Sequence, residues 1–264
     1  MSKIIKEIGI EVNKTPVKSR SFLIDADRYG GMAVAHVRLL QDLFPGTQIE
    51  FDGNKVKIQI PGLIVNKPLK GWRIAVDEGH GGSEPGAVDG VNSIEGDKIN
   101  TVEAHLNDRL GDIIIGKLRE LGAEVVVTRP GQSEASLQDR CNIANTAKAH
   151  LFLSIHFNAF YSSAHGVETY HCRGSSNGKA LAMIVHRHVL AASGLRDRRV
   201  KEAGFWVLKH TTMPAILVEY GFITNVEEEK KITTDEYMQA VGQATVDGLV
   251  EFCNDNPHFK GREV

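Results

Sequence analysis

TVEAHLNDRLGDIIIGKLRELGAEVVVT, residues 101–128 of a 264-residue chain, is the stretch that decides the fold class. Val102, Leu106, Leu110, Ile113, Ile114, Leu118 and Leu121 recur at three- and four-residue spacing, the period of a helix with one apolar face. Gly122 follows the last of them, and glycine commonly stands just past a helix C-terminus. Glu124–Thr128 then reads as a strand, rich in β-branched residues. Upstream, Arg73–Asp77 is a short apolar run ending on an acid, a second strand. Two strands joined through a helix of this length imply a crossover connection and parallel pairing. The alternation continues downstream. Helices are expected over Leu137–Ala147, Asn177–Ala192 and Asp235–Cys253, and strands over Leu151–His156, Gly166–His171 and Ala215–Glu219. This is the pattern of an α/β domain with a mostly parallel sheet flanked by helices.

The texture before residue 66 is different. Ile8–Val12 and Ser21–Ile24 read as short strands and Gly31–Leu43 as a helix. Thr47–Phe51 and Lys55–Ile60 alternate with period two around Asp52-Gly53-Asn54, a hairpin turn signal. A small α+β domain, β-β-α-β-β, is therefore expected over 1–65. Asn66-Lys67-Pro68 opens a linker over 66–71, the main domain runs 72–255, and 256–264 reads as a short polar tail.

Bulk composition narrows the function class. The hydrophobic share is 42%, the charged share 24% and the formal net charge -2. No global basic field argues for nucleic acid. Arg196, Arg198, Arg199 and Lys201 lie close together, which reads first as a solvated loop. Cys141, Cys172 and Cys253 are odd in number and widely spaced, so neither a disulfide framework nor a cysteine-built metal site is expected. No stretch reaches the length that spans a bilayer. MSKIIKEIGIEVNK lacks the apolar core of a signal peptide, so synthesis in the cytoplasm without an export signal is the expectation.

The chemistry stands at the strand ends. The Arg73 strand leads into Asp77-Glu78-Gly79-His80-Gly81-Gly82, the Leu151 strand into His156-Phe157-Asn158, and the Ala215 strand into Glu219-Tyr220-Gly221. Ligands of open α/β sheets gather beyond the carboxyl ends of the strands. The long helix begins soon after the His80 loop, which brings Glu103 in its first turn toward the same edge. A catalytic zinc commonly takes three protein ligands and leaves one position open, and His80, Glu103 and His156 would supply them. A carboxylate off the metal is then needed to move a proton, and Glu219 is the candidate. Each residue alone has a bland explanation: a strand-end histidine is often structural, and a first-turn glutamate complements the helix dipole.

Four blocks resemble a known family in its own order. RIAVDEGHGGSEPGAVDG, VEAHLNDRLGDIIIGKLRELGAEVVVTR, LQDRCNIANTAKAHLFLSIHFNAF and RRVKEAGFWVLKHTTMPAILVEYGFITNVEEE are similar to the zinc-dependent N-acetylmuramoyl-L-alanine amidases called amidase type 3. The likeness runs from about Trp72 to Cys253. It implies one zinc per chain on His80, Glu103 and His156, and Glu219 as the catalytic carboxylate. It also implies peptidoglycan as substrate, cut between N-acetylmuramic acid and L-alanine. Asn158 matches a position that holds the stem peptide, although a strand-end cap explains it equally well. Arg140 and Asn145 match family positions and read as structural supports. Glu78 replaces the family's usual proline. Glu95, in the segment Val91–Thr101, is a rival to Glu103 as ligand; Glu103 is preferred because Asn107 follows four residues on. His105, His165, His171 and His210 are read as non-ligands. The first 65 residues resemble the stalk domain related to the N-terminal domain of copper amine oxidases. With no signal peptide expected, the resemblance fits a phage or prophage endolysin, released by membrane permeabilisation, or a bacterial autolysin. No oligomeric state is implied.

Overall fold

The computed structural model describes residues 9–12, 15–17, 48–52, 55–59, 67–88 and 101–261. The chain divides into two compact units, Met1–Asn66 and Lys67–Val264.

The first unit holds a four-stranded sheet of β1 (Gly9–Val12), β2 (Thr15–Val17), β3 (Gln48–Asp52) and β4 (Lys55–Gln59), in the order β2-β1-β4-β3. β3 and β4 form the antiparallel pair that the Asp52-Gly53-Asn54 signal anticipates, with Asp52 opposite Lys55. β1 runs parallel to β4. β2 includes Pro16 and is an outer strand, where a missing backbone donor is tolerated. The sequence reading assigned no strand there. Its strand at Ser21–Ile24 and helix at Gly31–Leu43 fall outside the described residues.

The second unit is built on β5 (Arg73–Glu78), β6 (Glu124–Val127), β7 (Leu151–Asn158), β8 (Val167–Cys172), β9 (Asp197–Ala203) and β10 (Ala215–Phe222). The sheet order is β6-β5-β7-β10-β8-β9, and only the β10–β8 pairing is antiparallel. The helices are α1 (Glu103–Glu120), α2 (Leu137–Thr146), α3 (Ser176–Ser193), α4 (Trp206–Lys209), α5 (Val226–Ile232) and α6 (Asp235–Asp255). Local chemistry fixes their ends. Ser136 and Asp139 form a reciprocal capping box on α2, Ser175 caps α3, and Thr234 caps α6. Beyond α1, Gly122 takes φ +93°, a backbone that glycine adopts without a side-chain penalty.

Alternation along the strands sorts their side chains onto two faces. Ile74, Val76, Leu153, Ile155, Ile216 and Val218 face the larger core, under α1, α3 and α6. Each fully buried leucine of α1, such as Leu110 or Leu118, adds about 1.5–3 kcal/mol by leaving water. Ala75, Phe152 and Leu217 face the smaller core with Cys141 of α2 and Leu208 of α4. Two short helices cover that face, so its carboxyl end stays open as a cleft.

Two expectations change. The basic cluster is the edge strand β9 rather than a solvated loop, and Arg198 and Lys201 bind the buried Glu168. The stretch read as a polar tail includes a 3-10 turn, Pro257–Gly261, whose Phe259 is buried against Phe252. Among the described residues no helix is long and apolar enough to cross a membrane.

Candidate metal centre

The site grows from the end of β5. His80 has φ +60°, left-handed for a residue with a Cβ, and Gly81 and Gly82 continue at +112° and +60°. Such a backbone costs about 1–2 kcal/mol at a non-glycine residue and persists only where neighbours enforce it. Here two buried arginines and an asparagine enforce it by holding consecutive carbonyls. Arg140 donates to the carbonyls of Glu78 at 2.7 Å and His80 at 2.6 Å. Arg129 donates to that of Glu78 at 3.0 Å, and Asn107 to that of Gly79 at 2.9 Å. Arg129 is fully buried and ion-paired with Asp108. Arg140 pairs at 2.9 Å with Asp77, which also accepts from Thr128 and Ser154. Arg140 thus has the supporting role expected of it. So does Asn145, which ties α2 to the backbone of His210 and Thr212.

Around this frame His80, Glu103 and His156 converge, with one ligand atom from each lying within 4.8 Å of the others. His80 Nε2 is 3.2 Å from Glu103 Oε2, and His156 Nδ1 is 2.8 Å from Glu103 Oε1. The two imidazoles stand at 82° with centroids 5.0 Å apart. Glu103 also accepts from the backbone N–H groups of Ala87 at 2.9 Å and Phe157 at 3.3 Å. Burial pushes its carboxyl up, but hydrogen bonds from His156 and His80 outweigh burial and hold it well below the usual carboxylate range. Asn107, four residues after Glu103, points one turn along α1 to the Gly79 carbonyl, which explains that spacing. Glu95 lies outside the described residues.

The fit to a small cation is visible in what the backbone leaves out. A Cβ on Gly86 would stand 2.6 Å from both Glu103 Oε2 and His80 Cδ2. One on Gly79 would stand 2.7 Å from His156 Nδ1. Both positions need glycine for the imidazoles and carboxylate to approach one another. Two imidazoles and one carboxylate suit zinc, with a coordination position to spare.

Glu219 sits opposite His156 in the β10–β7 register and opposite Glu168 in the β10–β8 register. Its Oε2 is buried without a hydrogen-bond partner. Burial, followed by the charges of Glu103 and Glu168, raises its carboxyl well above the usual range. Glu168 is the opposite case. Burial raises it, yet Lys201, Arg198 and Tyr170 outweigh that and keep it ionised. Asn158 donates to Glu168 at 2.5 Å, and its Oδ1 accepts from Ala159 N–H. Its side chain is therefore engaged within the fold. His165, His171 and His210 each bond a backbone carbonyl, and His105 is exposed.

His80, His156 and Glu219 line one cavity of about 720 Å³. Its lining includes the polar residues Ser83, Glu84 and Glu134 and the apolar residues Leu137, Phe205 and Trp206. The sequence reading missed Arg129 and the two aromatics. A buried arginine leaves no periodic signal, and the sequence analysis assigned Phe205 and Trp206 no role.

The N-acetylmuramoyl-L-alanine amidase family matches residues 74–251. LytC of Bacillus subtilis, named an N-acetylmuramoyl-L-alanine amidase, is 37% identical over 71% of this chain, which spans 37% of LytC. YqiI of the same organism, an uncharacterised protein, is 36% identical over 69% of this chain and 85% of its own length. Among solved structures, the catalytic domain of the amidase CwlV from Paenibacillus polymyxa superposes with a TM-score of 0.64 at 32% identity, over 69% of this chain and 98% of that one. An N-acetylmuramoyl-L-alanine amidase from Clostridium difficile gives 0.65 at 32%, over 69% and 97%.

Proposed function

The chain belongs to the N-acetylmuramoyl-L-alanine amidase family, and from that premise we propose that it hydrolyses peptidoglycan at the amide between the lactyl group of N-acetylmuramic acid and the first L-alanine of the stem peptide. One zinc held by His80, Glu103 and His156 completes the site. The observation that carries this reading is the placing of an unpartnered buried carboxylate oxygen, on Glu219, in the same cavity as a two-histidine, one-carboxylate cluster. Bound there, zinc polarises the scissile carbonyl and lowers the pKa of water.

The chain's own residues do the rest. Glu219 takes a proton at Oε2 as water attacks the carbonyl carbon, and delivers it to the leaving alanine nitrogen. Its raised proton affinity, set first by burial, makes it the stronger base for taking that proton. Arg129, Arg140 and Asn107 hold the His80 loop so that no reorganisation is needed when substrate arrives. The cell wall is where this substrate lies, so an endolysin or autolysin acts there.

Mass spectrometry of digested murein tests the bond. New L-alanine amino termini beside free lactyl carboxylates are expected, with no new reducing sugar ends. Protein as purified should carry about one zinc per chain. Chelation should stop release and added zinc restore it. Cleavage at another bond, or full activity without metal, refutes the reading.

A further inference from the structure

Trp206 and Phe205 are 46% and 39% exposed, unusual for side chains that gain so much from burial. Both line the cavity that holds His80, His156 and Glu219. We propose that they form its sugar-reading surface, the Trp206 indole taking the apolar face of the muramyl ring while the polar lining residues serve the peptide. This rests on the amidase reading and assigns the two ends of that substrate.

The indole is fixed before any ligand arrives. The His210 ring stacks on it at 3.8 Å and 21°. His210 lies behind, outside the cavity lining. Its Nδ1 bonds the Trp206 carbonyl at 3.0 Å, and its own carbonyl accepts from Asn145 of α2 at 2.8 Å. One indole face is thus backed by His210, and the residue itself lines the cavity. Phe205 is braced likewise, edge-on to Tyr170 at 4.9 Å and 75°. A pre-set aromatic surface loses little conformational freedom on binding.

The chemistry of that surface selects the sugar. Trp206, Phe205 and Leu137 line it with apolar side chains. A peptide pressed there would leave amide groups without hydrogen-bond partners, which is unfavourable. A pyranose presents an apolar face of C–H groups and keeps its hydroxyls at the rim, in water. In the same lining, Ser83, Glu84 and Glu134 offer the polar partners that peptide amides require.

The test compares two substrates with the same scissile amide. One is a muramoyl-peptide, the other a lactoyl-peptide without the sugar. For Trp206→Ala we expect KM for the muramoyl-peptide to rise about tenfold or more, the loss typical of an aromatic anchor, with kcat nearly unchanged. The lactoyl-peptide should be handled as by wild type, and Trp206→Tyr should recover most of the loss. Equal losses on both substrates, or none on either, overturn the proposal. Binding is read separately by titrating Glu219→Gln protein with the peptide-free muramic disaccharide. Of the chain's two tryptophans Trp72 is buried, so a saturable change in fluorescence reports Trp206. No change overturns the proposal even where the lactoyl-peptide is a poor substrate. Failure of wild type to cleave either substrate is failure of the amidase reading instead.

Discussion

Replacing Gly79 by alanine adds one methyl group where the end of β5 passes the His156 ring. That methyl would stand 2.7 Å from Nδ1 of His156, and nearer still to Cε1 and Nε2. Carbon contacts settle near 3.5–4.0 Å and the nearest ring atom, Cε1, would be 2.2 Å away, so the imidazole must retreat by about 1.3–1.8 Å. Its Nδ1 is held at 2.8 Å from Glu103, and metal–nitrogen bonds tolerate about 0.2 Å. One ligand is therefore lost or badly misplaced. Disturbing even a supporting partner of a ligand costs about 10–100-fold in metal affinity, so Gly79→Ala should weaken zinc binding by at least that much. Overpacking of this kind costs about 1–3 kcal/mol of stability, or roughly 3–10 °C in melting temperature. Zinc titration, peptide release at fixed free zinc, and thermal melting followed by circular dichroism measure the three effects. Gly116→Ala is the control. It lies in the helix that carries Glu103 and its methyl meets nothing within 4 Å, so it should stabilise by about 0.5–1 kcal/mol and leave zinc alone. A Gly79→Ala protein that binds one zinc at wild-type affinity and turns over normally refutes the assignment of His156 as a ligand.

Glu219→Gln should keep its zinc and lose about 10²–10⁴-fold in kcat, the share of a proton-transferring group, with its melting temperature nearly unchanged, because the amide has the shape of a carboxyl whose neutral form burial already favours; zinc loss alongside turnover would count against its being off the metal. Glu168→Gln should cost about 1–3 kcal/mol at pH 7, because Arg198 and Lys201 lose their counter-charge. The Glu168 carboxyl sits below its ordinary value of 4.5 in the fold, so its stabilisation is present above pH 4.5 and fades as pH falls through the folded value. Urea unfolding of the two proteins should accordingly converge in acid, and a gap that is constant with pH would show that the charge is not what stabilises.

The sequence by itself determined the layered architecture. Apolar periods of 3.6 and 2 and the glycine stop at Gly122 are local, and they report which faces are buried whatever lies opposite them. It also placed His80, His156 and Glu219 at strand ends, because a parallel sheet puts its loops on one edge. It did not find β9, where the charges that read as a solvated loop turn inward to Glu168, nor Phe259, which a polar context disguised. Both depend on partners distant in sequence. The sequence carried Glu103 toward the same edge as well, but only the tertiary structure set its carboxylate against the two imidazoles, since a helix N-terminus can be aimed in many directions after a loop. Only it revealed Arg129 and Arg140 gripping consecutive carbonyls of the His80 loop, and the Trp206 indole backed by His210. Those are relations between side chains on different elements. Their energies arise from burial and distance, which are set when the elements pack and have no period in the sequence.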